Sequence, residues 1–331
     1  MIWRLFSRLF LPALVLLAQP LAQADEAVVA AEADAMQILH QVQEAARALD
    51  YTGVYTYQQG VVMSSSRIVH LVDGTGERER VEALDGQRRE FVRHNDEVRS
   101  LLPERKVVIV ERRRGERFPG LLLNDGSNLD RYYELVTLPD PERVAGRECT
   151  PLRLRPRDGH RYGHVLCVDR DSRLLLKAQT VTASNEVIDQ VAFSSITLGE
   201  QAAQAQVTPS WDVSDWRVVE LPMRPTDLGQ RGWRIPRPDG FAILTQVARP
   251  MRAQADVKQM VLSDGLAAIS VFVETFDADR HPTSAQGGMH KGALSVFRKR
   301  FGDFWLTALG QVPADTLRDI IEHVEYVPLA Q

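Results

Sequence analysis

From Tyr51 onward the chain alternates apolar and polar residues with a period of two, in short segments separated by turn residues. The segments are "YTGVYTYQQ" (Tyr51 to Gln59), "SRIVHLV", "ERERVEAL", "RREFVRHN", "EVRSLL" and "RKVVIVERR". Their breaks are Gly60, Asp73-Gly74, Asp85-Gly86, Asn95-Asp96 and Pro103. A period of two sends successive side chains to opposite faces of a strand, and Asp-Gly pairs close neighbouring strands into hairpins. The pattern specifies an antiparallel meander. A loop-rich patch from Phe118 to Pro141 interrupts it, with one short helix expected over Leu129 to Leu138. Four strands then complete the sheet: Arg147 to Arg155, Arg161 to Val168, Arg173 to Thr182 and Glu186 to Thr197.

Ahead of the meander, Asp34 to Leu49 reads as an amphipathic helix. Ile38, Leu39, Val42, Ala46 and Leu49 form one apolar stripe, and Asp34 and Gln37 have capping-box spacing. One helix and about ten strongly twisted strands curl into a barrel or part-barrel. A helix in the mouth of such a half-barrel leaves an apolar interior suited to a ligand. Gly199 to Asp215 has the composition of a linker. Beyond it, strands over Phe241 to Val247, Val257 to Leu262, Ala267 to Phe276, Gly292 to Arg298 and Phe304 to Leu309 precede a helix from Pro313 to His323. The fold class is therefore α+β, an N-terminal half-barrel with one helix plus a smaller C-terminal α+β domain. The expected divisions are a leader at 1–24, a first domain at 25–200, a linker at 201–215 and a second domain at 216–331.

The leader assignment rests on "MIWRLFSRLFLPALVLLAQPLAQA". Arg4 and Arg8 precede an apolar run from Leu9 to Ala18, and Ala22-Gln23-Ala24 supplies small residues before Asp25. A run of that length is too short to span a bilayer and has the layout of a secretory signal. Export bears on Cys149 and Cys167, the two cysteines of the chain. An oxidising compartment favours a disulfide between them. A three-residue turn centred on Asp158, with Gly159 at positive φ, would set Cys149 directly opposite Cys167 across a hairpin. Two free buried thiols, or a metal held by both cysteines with His160 and His164, stay open as alternatives. The metal is disfavoured because one cysteine stands far from the other three groups, unlike known zinc spacings.

Catalytic motifs are missing: the sequence holds no Gly-x-Ser-x-Gly elbow, no His-Glu-x-x-His and no phosphate-binding glycine loop. No enzyme and no cofactor are expected. The balance of 40 basic to 44 acidic residues, with export, argues against nucleic acid. One dense basic cluster, "ERRRGERF" (Glu111 to Phe118), reads either as a solvated strand end or as a site for an acidic peptide or lipid phosphate. His70, His94 and His160 read as surface polar residues.

"YTGVYTYQQG", "VVIVERRRGERFPGLL", "LDRYYEL" and above all "VLSDGLAAISVFVE" (Val261 to Glu274) resemble the MucB/RseB family over nearly the whole mature chain. The resemblance implies a periplasmic negative regulator of an envelope-stress sigma factor, of the sigma-E or alginate type. Such a protein binds the periplasmic segment of a transmembrane anti-sigma factor (MucA/RseA-like) and shields it from the first protease of a cascade. It also implies a LolA-like first domain that senses lipid or lipopolysaccharide, whose acyl chains loosen that grip. The expected lipid-facing residues are Tyr55, Tyr57, Val61, Met63, Val108 and Val110. For the anti-sigma segment the expected contacts are Ser263, Asp264 and Gly265, with Arg112, Arg113 and Arg114. Asp264-Gly265 equally reads as a plain turn between strands. A homodimer is possible, and a periplasmic lipid or lipoprotein carrier is the rival reading, which the sizeable second domain disfavours.

Overall fold

The computed structural model describes residues 21–112, 118–120, 129–199, 204–220, 222–251 and 254–328. Helix α1 (Leu21–Ala48) leads into the meander β1 (Tyr51–Gln59), β2 (Val62–Asp73), β3 (Gly76–Ala83), β4 (Glu90–His94), β5 (Glu97–Leu102) and β6 (Val107–Arg112). Then come α2 (Leu129–Tyr132), β7 (Tyr133–Thr137), β8 (Glu142–Val144), β9 (Arg147–Pro156), β10 (Gly163–Asp169), β11 (Leu175–Val181) and β12 (Val187–Leu198). Helix α1 starts at Leu21 rather than Asp34, so it runs through the expected cleavage point, and the rest of the leader lies outside the described residues. Among the described residues, no helix is long and apolar enough to cross a membrane.

With β13 (Arg217–Glu220), these strands form a 13-stranded sheet in the order β13-β6-β5-β4-β3-β2-β1-β12-β11-β10-β9-β7, with β8 also on β9. Strand β13 pairs in parallel with β6. Residues 217–220, expected in the second domain, thus extend the first sheet. Leu129 to Leu138 is helical for one turn only. Tyr133 and Leu135 are buried while Glu134 between them is less so, and that period of two makes the segment an edge strand against β9.

The apolar stripe of α1 holds the sheet together. Ala35, Leu39 and Val42 share one cluster with Leu135, Leu152, Leu154, Leu166 and Leu175. Ala45 and Ala46, a turn later, pack with Tyr51, Ile68, Val81 and Phe193. A single helix reaches strands from β3 round to β7 only if the sheet curls about it, as a half-barrel. The opposite, convex face is covered by the linker: Val207 packs on Val69 and Leu71, and the Ser210 N–H donates to buried Glu90 at 3.0 Å.

The second sheet runs β14 (Arg224–Pro225), β16 (Ala242–Met251), β17 (Gln254–Ser263), β18 (Ala268–Thr275), β21 (Phe304–Gly310), β20 (Leu294–Phe301), β19 (Gly287–Lys291). Strand β15 (Trp233–Arg234) pairs with β22 (Glu325–Tyr326). Helix α3 (Ala314–Glu322) buries Leu317, Ile320 and Ile321 against this domain's core.

Cys149 and Cys167 are bridged, Cα to Cα 5.4 Å. The geometry differs from the expected one. Cys149 pairs with Asp169 and Cys167 with Pro151, so the bridge is diagonal. The connection runs from 157 to 162, and Gly159 is not among the positive-φ glycines. That loop carries Arg161, whose side chain is fully buried.

Candidate functional site

Strand register decides which side chains face the hollow of the half-barrel. Gly53 pairs with Ile68, Ile68 with Val81, Val81 with Phe91, Phe91 with Ser100, and Ser100 with Ile109. Residues directly opposite one another share a face, and Ile68 and Val81 lie in the cluster with α1. This row is therefore concave. Tyr55 and Tyr57 continue it along β1, since the β1–β2 ladder is unbroken. Tyr55 packs on Phe118 at 5.5 Å and Phe193 at 6.2 Å between ring centroids, and Phe118 on Phe193 at 4.9 Å. Small residues beside them, Ser64, Ser66, Ala83 and Ser100, are half-buried and leave space in front of the sheet.

Four of the six expected lipid contacts do not belong to this face. Val110 follows the row Arg99, Val92, Arg80, Val69, and Val108 pairs with Leu101, which puts both on the convex side. Met63 pairs with Gln58 on that convex side and is 65% exposed, while Val61 sits in the β1–β2 turn at 99% exposure. A period of two cannot by itself say which face is inside. Phe91, Ile109, Phe118 and Phe193 are not among the expected contacts; the first two follow only when register is also carried across the β3–β4 and β5–β6 connections.

The anti-sigma candidates also separate. Arg112 is exposed at the end of β6, whereas Arg113 and Arg114 lie outside the described residues. Ser263 and Asp264 are buried, at 0% and 6% exposure. They form the β17–β18 turn with Gly265 at φ 106°: the Gly265 N–H donates to Ser263 Oγ, and the Leu266 and Ala267 N–H groups donate to Asp264 Oδ1. The turn reading of Asp264-Gly265 is the one realised, and the two side chains offer no surface to a peptide.

Asp264 instead joins the domains. Its Oδ2 accepts from Arg161 Nη1 and from the Tyr133 hydroxyl, both at 2.9 Å. The Arg161 side chain is fully buried, also bonds Asp158 at 2.9 Å and the Asp239 carbonyl, and lies 4.8 Å and 5.0 Å from the ring centres of Tyr132 and Phe241. Burial first, and Asp264 second, push the Tyr133 hydroxyl well above its usual range. His164 keeps slight exposed area, but its ring is embedded in protein. Burial lowers it to about 4, with Asp264 pulling the other way. Thr316 Oγ1 donates to the His160 carbonyl at 3.1 Å, tying α3 to the same loop. This is a charge-satisfied joint, the form in which a buried ion pair is tolerated.

A second joint lies at the Tyr57 end of the concave face. The Tyr57 hydroxyl donates to Asp189 Oδ2 at 3.0 Å and is also bonded to Gln311 of the second domain. Asp189 is 3% exposed, and burial raises its carboxyl, partly offset by the N–H groups of Ala293 and Gly60 and by Tyr57. Cys149 and Cys167 are bridged to each other, so neither is a thiolate free to join His160 and His164 at a metal, and no group of three metal-ligating side chains gathers among the described residues.

A curled sheet with an aromatic hollow, held at two joints against a second sheet, has the architecture of a two-domain binding protein. Residues 34–211 match the model of the MucB/RseB N-terminal domain and 227–325 that of the MucB/RseB C-terminal domain, so the chain belongs to the MucB/RseB family. Sigma factor AlgU regulatory protein MucB of Pseudomonas aeruginosa is 29% identical over 290 residues, 86% of this chain and 88% of that protein. Sigma-E factor regulatory protein RseB of Escherichia coli K12 is 25% identical over 256 residues, 73% and 75% of the two chains. The crystal structure of MucB in complex with MucA(peri) has a TM-score of 0.69 at 27% identity, covering 90% of this chain and all of that one. A second MucA/MucB complex from Pseudomonas aeruginosa gives 0.70 at 26% identity over the same 90%. The relatives are named as regulatory proteins.

Proposed function

We propose that this chain is a periplasmic regulator of a stress-response sigma factor. It binds the periplasmic segment of a transmembrane anti-sigma factor, shields it from the first proteolytic cut, and releases it when lipid or lipopolysaccharide acyl chains occupy the concave face. The observation that carries the reading is the match over both domains to MucB in its complex with MucA(peri). The hollow lined by Tyr55, Phe91, Phe118 and Phe193 supports the lipid half, because aromatic and small side chains together offer an apolar slot of the kind ligand sites use. No chemistry on a substrate is needed for either role, and we read the chain as a non-enzyme.

Release by lipid requires only linkage: the acyl chain must prefer a state that holds the anti-sigma segment less well, by roughly 1–3 kcal/mol. The test is a pull-down of the mature chain with the periplasmic segment of the co-encoded anti-sigma factor, with and without lipopolysaccharide. Capture that weakens about tenfold or more with lipopolysaccharide supports the whole reading. Capture indifferent to it keeps the shield and removes the sensor. Absence of capture, with lipopolysaccharide still bound, hands the case to a periplasmic lipid or lipoprotein carrier, which the same concave face would serve.

A further inference from the structure

The second joint sits where the concave face and the other domain meet, and one carboxylate touches both. Asp189 accepts from Tyr57 on the side of the hollow. On its other side rests the β19–β20 turn of the second domain. Gly292 in that turn has φ 56°, and a Cβ there would lie 1.9 Å from Asp189 Oδ1, so the turn sits directly on the carboxylate. The Ala293 N–H is directed at the same group, although Oδ1 makes no hydrogen bond of full geometry. A Cβ built on Gly60 would lie 4.0 Å from the Gly292 nitrogen, so the β1–β2 turn stands beside the same joint.

We propose that Asp189 is the positioning residue that reports occupancy of the concave face to the second domain. The inference rests on the lipid-sensing reading above and names its relay. Tyr57 follows Tyr55 on the concave side of β1, so an acyl chain advancing past the Tyr55–Phe118–Phe193 cluster meets the Tyr57 ring next. Displacing that ring removes the tyrosine hydroxyl from a carboxylate that is almost without solvent and leaves it only the backbone N–H groups of Ala293 and Gly60 among the described residues. A buried acceptor stripped of its partner is costly, and the cost is relieved when the Gly292–Ala293 turn lifts and admits water. The far joint at Arg161 and Asp264 has four bonds to its carboxylate and meets the hollow's aromatic cluster through packing at Phe118, with none of its hydrogen bonds made to that cluster. Occupancy therefore opens one joint while the other stays closed.

Amide hydrogen exchange on the full mature chain, with and without purified lipopolysaccharide, tests this. The Ala293 amide of the wild type is expected to exchange at least about tenfold faster with lipopolysaccharide bound, within the usual span of such couplings. In Tyr57→Phe it is expected to be fast already and to respond little. Asp189→Asn, which keeps an oxygen acceptor in the same place, is expected to retain a response, whereas Asp189→Ala is not. Lipopolysaccharide that co-elutes with the wild type yet leaves Ala293 exchange unchanged overturns the relay and spares the sensor. A Tyr57→Phe protein that responds as the wild type does also overturns it. Lipopolysaccharide that fails to co-elute removes the sensor itself, and the relay with it, while the pull-down scores the shield separately.

Discussion

His164 is a residue whose environment sets a measurable pH dependence. Its imidazole stays neutral in the folded protein down to about 4, against 6.5 in an unperturbed chain, because burial disfavours the cation. The unfolded chain therefore takes up a proton that the folded one refuses. Stability is complete above about 6.5 and declines as the pH falls towards 4, by about 3 kcal/mol at most from this group. Urea melts at pH 7.5, 6 and 5 should show that decline, and His164→Gln should flatten it. Asp169 behaves oppositely. Burial pushes its carboxyl up, but the Arg147 fork at 2.8 Å and the Ser172 hydroxyl outweigh this and leave it low. Its contribution is present above the usual carboxylate range and lost as the pH falls through its depressed folded value. Asp169→Asn should destabilise by about 2 kcal/mol at neutral pH, as for other charge-assisted bonds. Neither role was legible in the sequence, because both depend on partners brought in by the fold. The same holds for His70, expected at the surface: it is buried, stacked on Tyr51 at 4.8 Å, with its Nδ1 on the Leu49 carbonyl.

Elements were far more legible than their faces. Tyr51–Gln59 is a strand over the range its period of two marks, and the Asp73-Gly74 and Asn95-Asp96 turns close hairpins where expected. These signals are local, so sequence carries them. Strand β13 could not be found that way, since "RVVE" becomes a strand only by adding in parallel to the edge of β6. The cysteine bridge lies between the two cases. Pairing followed from the compartment and the flanking strands, but the register did not. The loop from 157 to 162 holds the buried Arg161, and Cys149 lies two residues off from facing Cys167. A diagonal bridge still closes a loop of sequence separation 18, so Cys149→Ala with Cys167→Ala should cost about 3 kcal/mol in the chain-entropy model. Thermal melts with and without reductant would check it. Wild type under reductant should fall to the melting temperature of the double variant, and an unshifted melt would assign the hairpin's stability to packing alone.

For the whole molecule, the arrangement of the two domains depends on a buried ion pair, and a buried pair is informative mainly when broken. Arg161 and Asp264 both have fully buried side chains. Removing one partner leaves an uncompensated charge and typically costs 3–5 kcal/mol, while replacing both with apolar residues of similar volume is often close to neutral. Asp264→Ala should therefore undock the domains before it unfolds either: the single melting transition should split, and the radius of gyration in small-angle scattering should rise. Arg161→Met with Asp264→Asn, which removes both charges but keeps an oxygen acceptor for the Leu266 and Ala267 N–H groups, should restore one transition and the compact scattering profile, because Tyr132, Tyr133 and Phe241 already line the site with rings. The motif that most resembled the family, "SDGLAAISVFVE", thus earns its place in the fold through this joint, not through exposed contacts of Ser263 or Asp264. If Asp264→Ala binds the anti-sigma segment as tightly as the wild type while its domains separate, then one domain alone holds that segment. If binding falls together with docking and returns in the double variant, the bound segment must span both domains, and the angle fixed by Arg161 is part of its site.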